Sequence, residues 1–284
     1  MLLFARSGSV TAILTAVTVS ATFAMTGPLA AADKPVKRVA TASREATDSA
    51  AARQPDSNDP TVAALRIVRS VARSLEAVND YEATFTKRER IGTRLIHQSM
   101  QMKVRHKPFS VYLKYLTDHP GREVLYVHGR NGNRLQVHEG EGLTSLVGTI
   151  SLDPNGAMAM EENRYPITQI GMRRLVNMLI EAWEKEARYG ETDVRFYPNA
   201  KLGETRCKVI EWSHPVQREH FPYQKCRLYI DRTTNLPVRF ENFGWPGEGN
   251  TRPRLLEEYT YTNVRTNVGL SDADFDPGNT AYAF

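Results

Sequence analysis

Cysteine is scarce in this 284-residue chain, with Cys207 and Cys226 the only two, and no Cys-x-x-Cys pair occurs. That excludes a thioredoxin-like redox motif and a four-cysteine zinc site. The seven histidines (97, 106, 119, 128, 138, 214 and 220) are spread along the chain without an HExxH or paired-His spacing, so no metal site is expected, and their ordinary place is the solvated sheet face. A GxSxG elbow, a P-loop and a dinucleotide fingerprint are all lacking, and with them any legible catalytic residue or cofactor site. The expectation is therefore not an enzyme, catalytic residues none and cofactors none. Clustered positive charge is lacking too. The 37 basic and 32 acidic residues are interspersed, as in Lys87-Arg88-Glu89-Arg90, so nucleic acid is not an expected partner.

Strongly apolar runs long enough to cross a bilayer are also missing. The segment behind Arg6 is apolar but interrupted by Ser and Thr, is broken at Gly27-Pro28 and ends in Ala30-Ala31-Ala32. A positive start, a short apolar middle and small residues at a cleavage position predict a signal peptide over 1–32, cut near Ala32, rather than a membrane anchor. No cysteine stands directly behind that segment, so no lipoprotein anchor is expected. Export to the periplasm or cell envelope is the corresponding localisation. Residues 33–59 hold no aromatic and only Val36 and Val39 as branched aliphatics, the composition of a disordered linker. Residues 60–284 remain as a single domain.

Within it, Asp59-Pro60 offers an N-cap and a first-turn proline to a helix with an apolar stripe of Val62, Leu65, Val68, Val71, Leu75 and Val78. A second helix is predicted over Tyr165–Gly190, with Leu175, Leu179 and Trp183 on its greasy face and Arg173, Arg174 and Glu181 opposite. Strands with period-two alternation flank it. Six are expected before it, the last over Leu143–Leu152, and five after it, with Asn131-Gly132-Asn133 as a hairpin turn. About eleven antiparallel strands with two main helices make an α+β domain in which the helix lies on a sheet. Periodicity then nominates a ligand pocket of Phe85, Met100, Met102, Val111, Leu113, Leu175, Leu179 and Trp183. Met158, Met160, Met172 and Met178 supply either adaptable pocket walls or ordinary core.

Cys207 and Cys226 lie symmetrically about Val216-Gln217, so a hairpin turning there would set them opposite each other within disulfide range; the alternative is two free buried thiols. The Asp272–Asp276 run begins like a calcium loop, but Pro277 and Ala283 stand where Gly and a bidentate Glu are needed, and it reads as a solvated turn.

Several fragments in order carry a family resemblance: Asn79–Lys87, Lys107–Tyr112, Asn163-Arg164-Tyr165-Pro166-Ile167, Tyr229-Ile230-Asp231, Leu236–Arg239, Glu258–Tyr261 and the tail Phe275–Phe284. Together they resemble domain-of-unknown-function family 1571 (DUF1571), which is similar to the LolA/LppX-like lipoprotein-carrier fold. The resemblance implies a strongly curved antiparallel sheet, an incomplete barrel, with helices packed on its concave side. It implies partners of two kinds, a lipid or lipoprotein held in the concavity, or an envelope protein. Two functions follow: a non-enzymatic binder of an apolar lipid or acyl chain, or an interaction or stress-sensor module whose concavity is filled by its own helices.

Overall fold

In the computed structural model the described residues are 59–140, 148–247, 249 and 251–284. The expected signal peptide (1–32) and residues 33–58 of the linker lie outside them. Asp59 caps the first helix, α1 (Pro60–Glu76), as its spacing suggests, its carboxylate accepting from the Thr61 amide at 2.8 Å. Ala64, Val68, Val71 and Leu75 form the buried stripe.

Eleven strands follow in one antiparallel sheet: β1 (Asp80–Ile91), β2 (Arg94–His106), β3 (Phe109–Tyr115), β4 (Glu123–Val127), β5 (Leu135–His138), β6 (Ile150–Leu152), β7 (Asp193–Leu202), β8 (Thr205–Ser213), β9 (Lys225–Asp231), β10 (Pro237–Gly244) and β11 (Arg254–Thr266). The spatial order is β6-β5-β4-β3-β2-β1-β11-β10-β9-β8-β7, so among the described residues β6 and β7 are the edges and the barrel is not closed. Two meanders, one on each side of the central helix in sequence, are joined along the β1–β11 seam. The β4–β5 turn has positive φ at Asn131, Gly132 and Asn133, which only such residues adopt cheaply. Of the expected Leu143–Leu152 strand, Ile150–Leu152 is β6, and residues 143–147 lie outside the described residues.

Between the two wings run α2 (Ala157–Met160), which the sequence pattern did not suggest, and α3 (Met172–Ala187). The central helix is shorter than Tyr165–Gly190. Pro166 and Ile170 are extended and flank a single 3-10 turn, and Gly171 stands at φ 104° before the first α-turn. A Cβ at Gly171 would come within 2.9 Å of the Tyr81 hydroxyl, which accepts from the Met172 amide. Glycine is thus required both by its φ and by the close approach. Arg173, expected on the solvated face, instead donates to the carbonyls of Leu75 and Val78, both at 2.8 Å, closing the end of α1.

The core lies between the helices and the inward sheet face, with Met100, Met102, Val104 and Val111 buried in it. A smaller apolar cluster sits elsewhere, where Phe275, Leu270, Tyr282 and Phe284 pack on Tyr112, Leu125 and Val127. The Asp272–Asp276 stretch is therefore more than a solvated turn. It forms a 3-10 turn with a Ser271/Asp274 capping box, Phe275 is buried, and Asp272 and Asp274 pair with Arg105 and Lys103.

The expected disulfide is not formed; both cysteines are free and buried. The β8–β9 register sets Cys207 opposite Asp231 and Cys226 opposite Trp212, which is five positions along the strand from Cys207. At about 3.3 Å per residue the two cysteines are separated by roughly 16 Å, beyond any disulfide, and an odd offset puts them on opposite faces. The physical reason is a displaced turn: the ladder ends at Ser213–Lys225, with the His214 amide donating to the Gln224 carbonyl, so the pairing is centred on Glu219 rather than on Val216-Gln217.

Candidate ligand cavity

Alternation along the strands points one face of both wings at α3. Leu113, Val124, Leu135, Val137 and Ile150 come from the β3–β6 wing. Trp212, Phe240, Tyr259 and Tyr261 come from the other. With Leu175, Leu179, Ala182 and Trp183 of α3 they enclose a cavity of about 590 Å³. Trp183 is 1% exposed and stacks on Trp212, ring centroids 4.5 Å apart and planes 5° from parallel. Met158 on α2 and Met178 on α3, 66% and 37% exposed, also line the space and mark where it meets solvent.

Of the residues nominated by periodicity, Phe85, Leu113, Leu175, Leu179 and Trp183 line the cavity. Met100, Met102 and Val111 do not; they are packed in the core, which is the ordinary use of such side chains. The methionines divide likewise, Met158 and Met178 at the cavity and Met172 fully buried at the start of α3.

What periodicity missed is polar. On β1 the inward positions run Phe85, Lys87, Glu89, and all three line the cavity. Across the seam they face Tyr261, Tyr259 and Glu257, so two carboxylates, Glu89 and Glu257, stand directly opposite each other inside the protein. Opposed like charges destabilise a strand pair unless they are compensated. Compensation comes from the segment leading to α3. Lys87 Nζ lies 3.2 Å from Glu89, donates to the Glu162 carbonyl at 2.9 Å and also reaches Asn163 Oδ1. The Arg164 amide donates to Glu89, and its Nε to Glu257 at 3.2 Å. Tyr165 and Asn242 donate to Glu257, and the Tyr259 hydroxyl bridges Glu257 and Glu89.

Burial pushes the Glu257 carboxyl above the ordinary range, against the pull of the Asn242 amide and Arg164. Burial likewise pushes Lys87 below the ordinary lysine value, outweighing the pull of Glu89. Nearer the rim, burial alone would raise Glu162, but His119 and Arg122, 3.1 Å from its two oxygens, hold it below the usual carboxylate value.

A third buried carboxylate of the lining, Glu186 on α3, accepts from Trp212 Nε1 at 2.9 Å and lies 3.3 Å from His214 Nε2. His214 is thus not on the solvated face; it is buried and stacked on Phe221. Among the described residues no group of three or more His, Cys, Asp or Glu is placed to hold a metal ion. No helix among them is long and apolar enough to cross a membrane.

Fold and site together define an α+β protein of the incomplete-barrel kind, an open antiparallel sheet enclosing a cavity under its helices. The chain belongs to DUF1571, described as a protein of unknown function, whose family model matches residues 78–284. No curated protein matches it. Solved structures similar to it include lipoprotein LppX of Mycobacterium tuberculosis, 10% identical over 76% of this chain and 99% of that one, with a TM-score of 0.45. LprF of Mycobacterium bovis is 11% identical over 74% and 95%, TM-score 0.43. A LolA superfamily protein of Nitrosomonas europaea is 13% identical over 74% and 96%, TM-score 0.31.

Proposed function

We propose that this protein is an exported, non-enzymatic binder of an apolar ligand, a lipid or acyl chain, held between the sheet and α3. One observation carries the reading: although α3 packs on the sheet at Trp183 and Trp212, its side chains and those of the two wings leave about 590 Å³ between them, within the range of small-molecule sites. A concavity filled by its own helices would have been closed by those same side chains. The apolar walls supply the driving force, at about 25 cal/mol per Å² of ligand surface removed from water. Met158 and Met178 give an adaptable entrance.

The test is detergent-free purification, extraction and lipid analysis, followed by titration of the delipidated protein with the uncharged fluorophore N-phenylnaphthylamine. Co-purifying lipid and saturable fluorescence are expected, and Leu175→Trp, which places a bulky ring in the cavity, should abolish the signal while the fold persists. A protein that carries no lipid and binds no probe would refute the reading. Export and the extent 60–284 of the domain belong to the same proposal, and N-terminal sequencing of the protein recovered from the envelope should begin near Asp33.

A further inference from the structure

At the end of the sheet where β7 turns into β8, three cations stand side by side. The register sets Lys201 directly opposite Arg206, and the amide of Arg232, just past the end of β9, donates to the Arg206 carbonyl at 3.0 Å, carrying the row toward a third strand. Lys208, two positions along β8, lies on the same face as Arg206. Like charges directly opposed on a strand pair are destabilising unless they are compensated. Among the described residues none of these four cations forms an ion pair. Of the acids nearest in sequence, Asp231 accepts from the Thr233 amide and the Thr234 hydroxyl at 2.8 and 2.9 Å, and Glu204 in the turn pairs with no described cation. Lys208 and Arg232 donate to neutral groups, the side-chain oxygens of Asn235 and Asn199, at 2.8 and 3.0 Å. Asn235 in turn donates to Ser74 of α1, a helix that adds exposed Arg66 and Arg73 against a single acid, Glu76.

Lys201, Arg206 and Arg232 are exposed and line no part of the cavity, so their charge is not placed for the enclosed ligand. At about 4.8 Å between neighbouring strands the row spans roughly 10 Å, longer than one phosphate group and matched by several phosphates presented side by side. A lipid surface presents phosphates in that way. Resting for the choice of a membrane on the proposal that the protein is exported and binds lipid, we propose that the β7–β8 end and the neighbouring face of α1 dock on an anionic phospholipid surface. The lipid phosphates supply there the negative charge that the sheet itself lacks.

The experiment is flotation of the mature full-length chain with vesicles of phosphatidylcholine alone and of phosphatidylcholine with phosphatidylglycerol. Binding to the second only, weakening as salt rises, is expected. Each cation near the surface is worth roughly fivefold in affinity, so Lys201→Gln/Arg206→Gln/Arg232→Gln should lose roughly a hundredfold. Arg206→Gln alone relieves the repulsion from Lys201 and should hold or raise the urea midpoint; a fall would show that the row is compensated within the protein and would contradict the inference. Arg94→Gln/Arg252→Gln/Arg254→Gln removes the same charge from exposed positions at the opposite strand ends and should lose less than about threefold. Equal losses from both triple variants would tie binding to net charge and overturn the assignment. So would release of the wild type by inorganic phosphate at matched ionic strength, the mark of a single-phosphate site, or a short DNA duplex bound as tightly as the vesicles. Flotation is read without the fluorophore. A protein that binds N-phenylnaphthylamine but does not float overturns this inference and leaves the apolar-ligand reading standing; one that floats as expected but binds no probe upholds the docking surface and overturns the apolar-ligand reading.

Discussion

Replacing Lys87 with Met keeps most of the stem volume and removes only the ammonium. Lys87 and Glu89 side chains are both 4% exposed and 3.2 Å apart, so the variant leaves the Glu89 carboxylate buried with only the Arg164 amide and the Tyr259 hydroxyl as partners. Breaking a buried pair from one side costs about 3–5 kcal/mol, because the remaining charge cannot return to water. The pair itself is worth far less than that. Burial already holds Lys87 below the ordinary lysine value despite Glu89, so desolvation exceeds the attraction. Lys87→Met/Glu89→Gln, which removes both charges, should accordingly regain most of the loss and stand within about 1–2 kcal/mol of the wild type. In urea, with a slope of about 2–3 kcal/mol per molar, the single variant should lower the midpoint by roughly 1–2 M at unchanged slope and the double by less than half as much. Circular dichroism at equilibrium measures both. A single variant within about 0.5 kcal/mol of the wild type, or a double whose loss is the sum of the two singles, would show that the pair is solvated and that the buried network is misassigned.

Trp183→Ala should cost about 3 kcal/mol, the low end for a buried tryptophan because one side of the ring already borders open space, while Arg174→Ala on the exposed face should change the urea midpoint little. The tryptophan variant should also weaken probe binding, since the same ring forms part of the cavity wall. His106 is pushed down from 6.5 to about 4 by burial and by nearby Arg173, against the pull of Asp80. A fully buried group so shifted would contribute about 3 kcal/mol, but His106 is only partly buried and solvent screening reduces this to about 1 kcal/mol. The fold favours the neutral ring, so this stability is present above about pH 6.5 and is lost as the pH falls toward 4; urea midpoints across that window should fall less steeply for His106→Gln. Thiol titration of the unreduced, denatured protein should find both cysteines free, and in the native protein Cys226 should react slowest, since burial raises its thiol well above the usual value.

The scaffold was legible because its signals are local. Alternation marks strands such as Phe109–Tyr115 and Lys225–Asp231, and Asp59-Pro60 marks the start of α1, without knowledge of what lies opposite. Signals that depend on a partner were not legible. The cysteine pairing required the β8–β9 register, which is centred on Glu219 rather than on Val216-Gln217, a displacement that no residue type in the connection announces. The length of α3 required Gly171 to be seen against Tyr81. The cavity's polar end was hidden by a sound rule wrongly applied. Lys87, Glu89 and Glu257 are charged, so alternation by hydrophobicity alone assigns them to solvent, whereas parity with Phe85 and Tyr261 places them inside. Counting in steps of two from the aromatic residues, whatever the charge met on the way, would have found them.

The same parity explains why scattered fragments carried the family resemblance when each alone looked ordinary. Lys87 ends the first fragment, Asn163-Arg164-Tyr165 opens another, and Tyr259 stands in a third. In the folded chain Lys87 reaches Asn163, the Arg164 amide reaches Glu89, and the Tyr165 and Tyr259 hydroxyls reach Glu257. They meet on the β1–β11 seam, the one place where the first meander is paired with the second. A one-residue slip there would turn the inward residues of one strand outward. It would also remove two buried carboxylates from their donors, a penalty of several kcal/mol that purely apolar pairing would not impose. The network is thus a costly way to gain stability and an effective way to fix register. It fixes the register at the wall of the cavity, so the residues that align the two halves of the sheet also set the charge that a ligand meets.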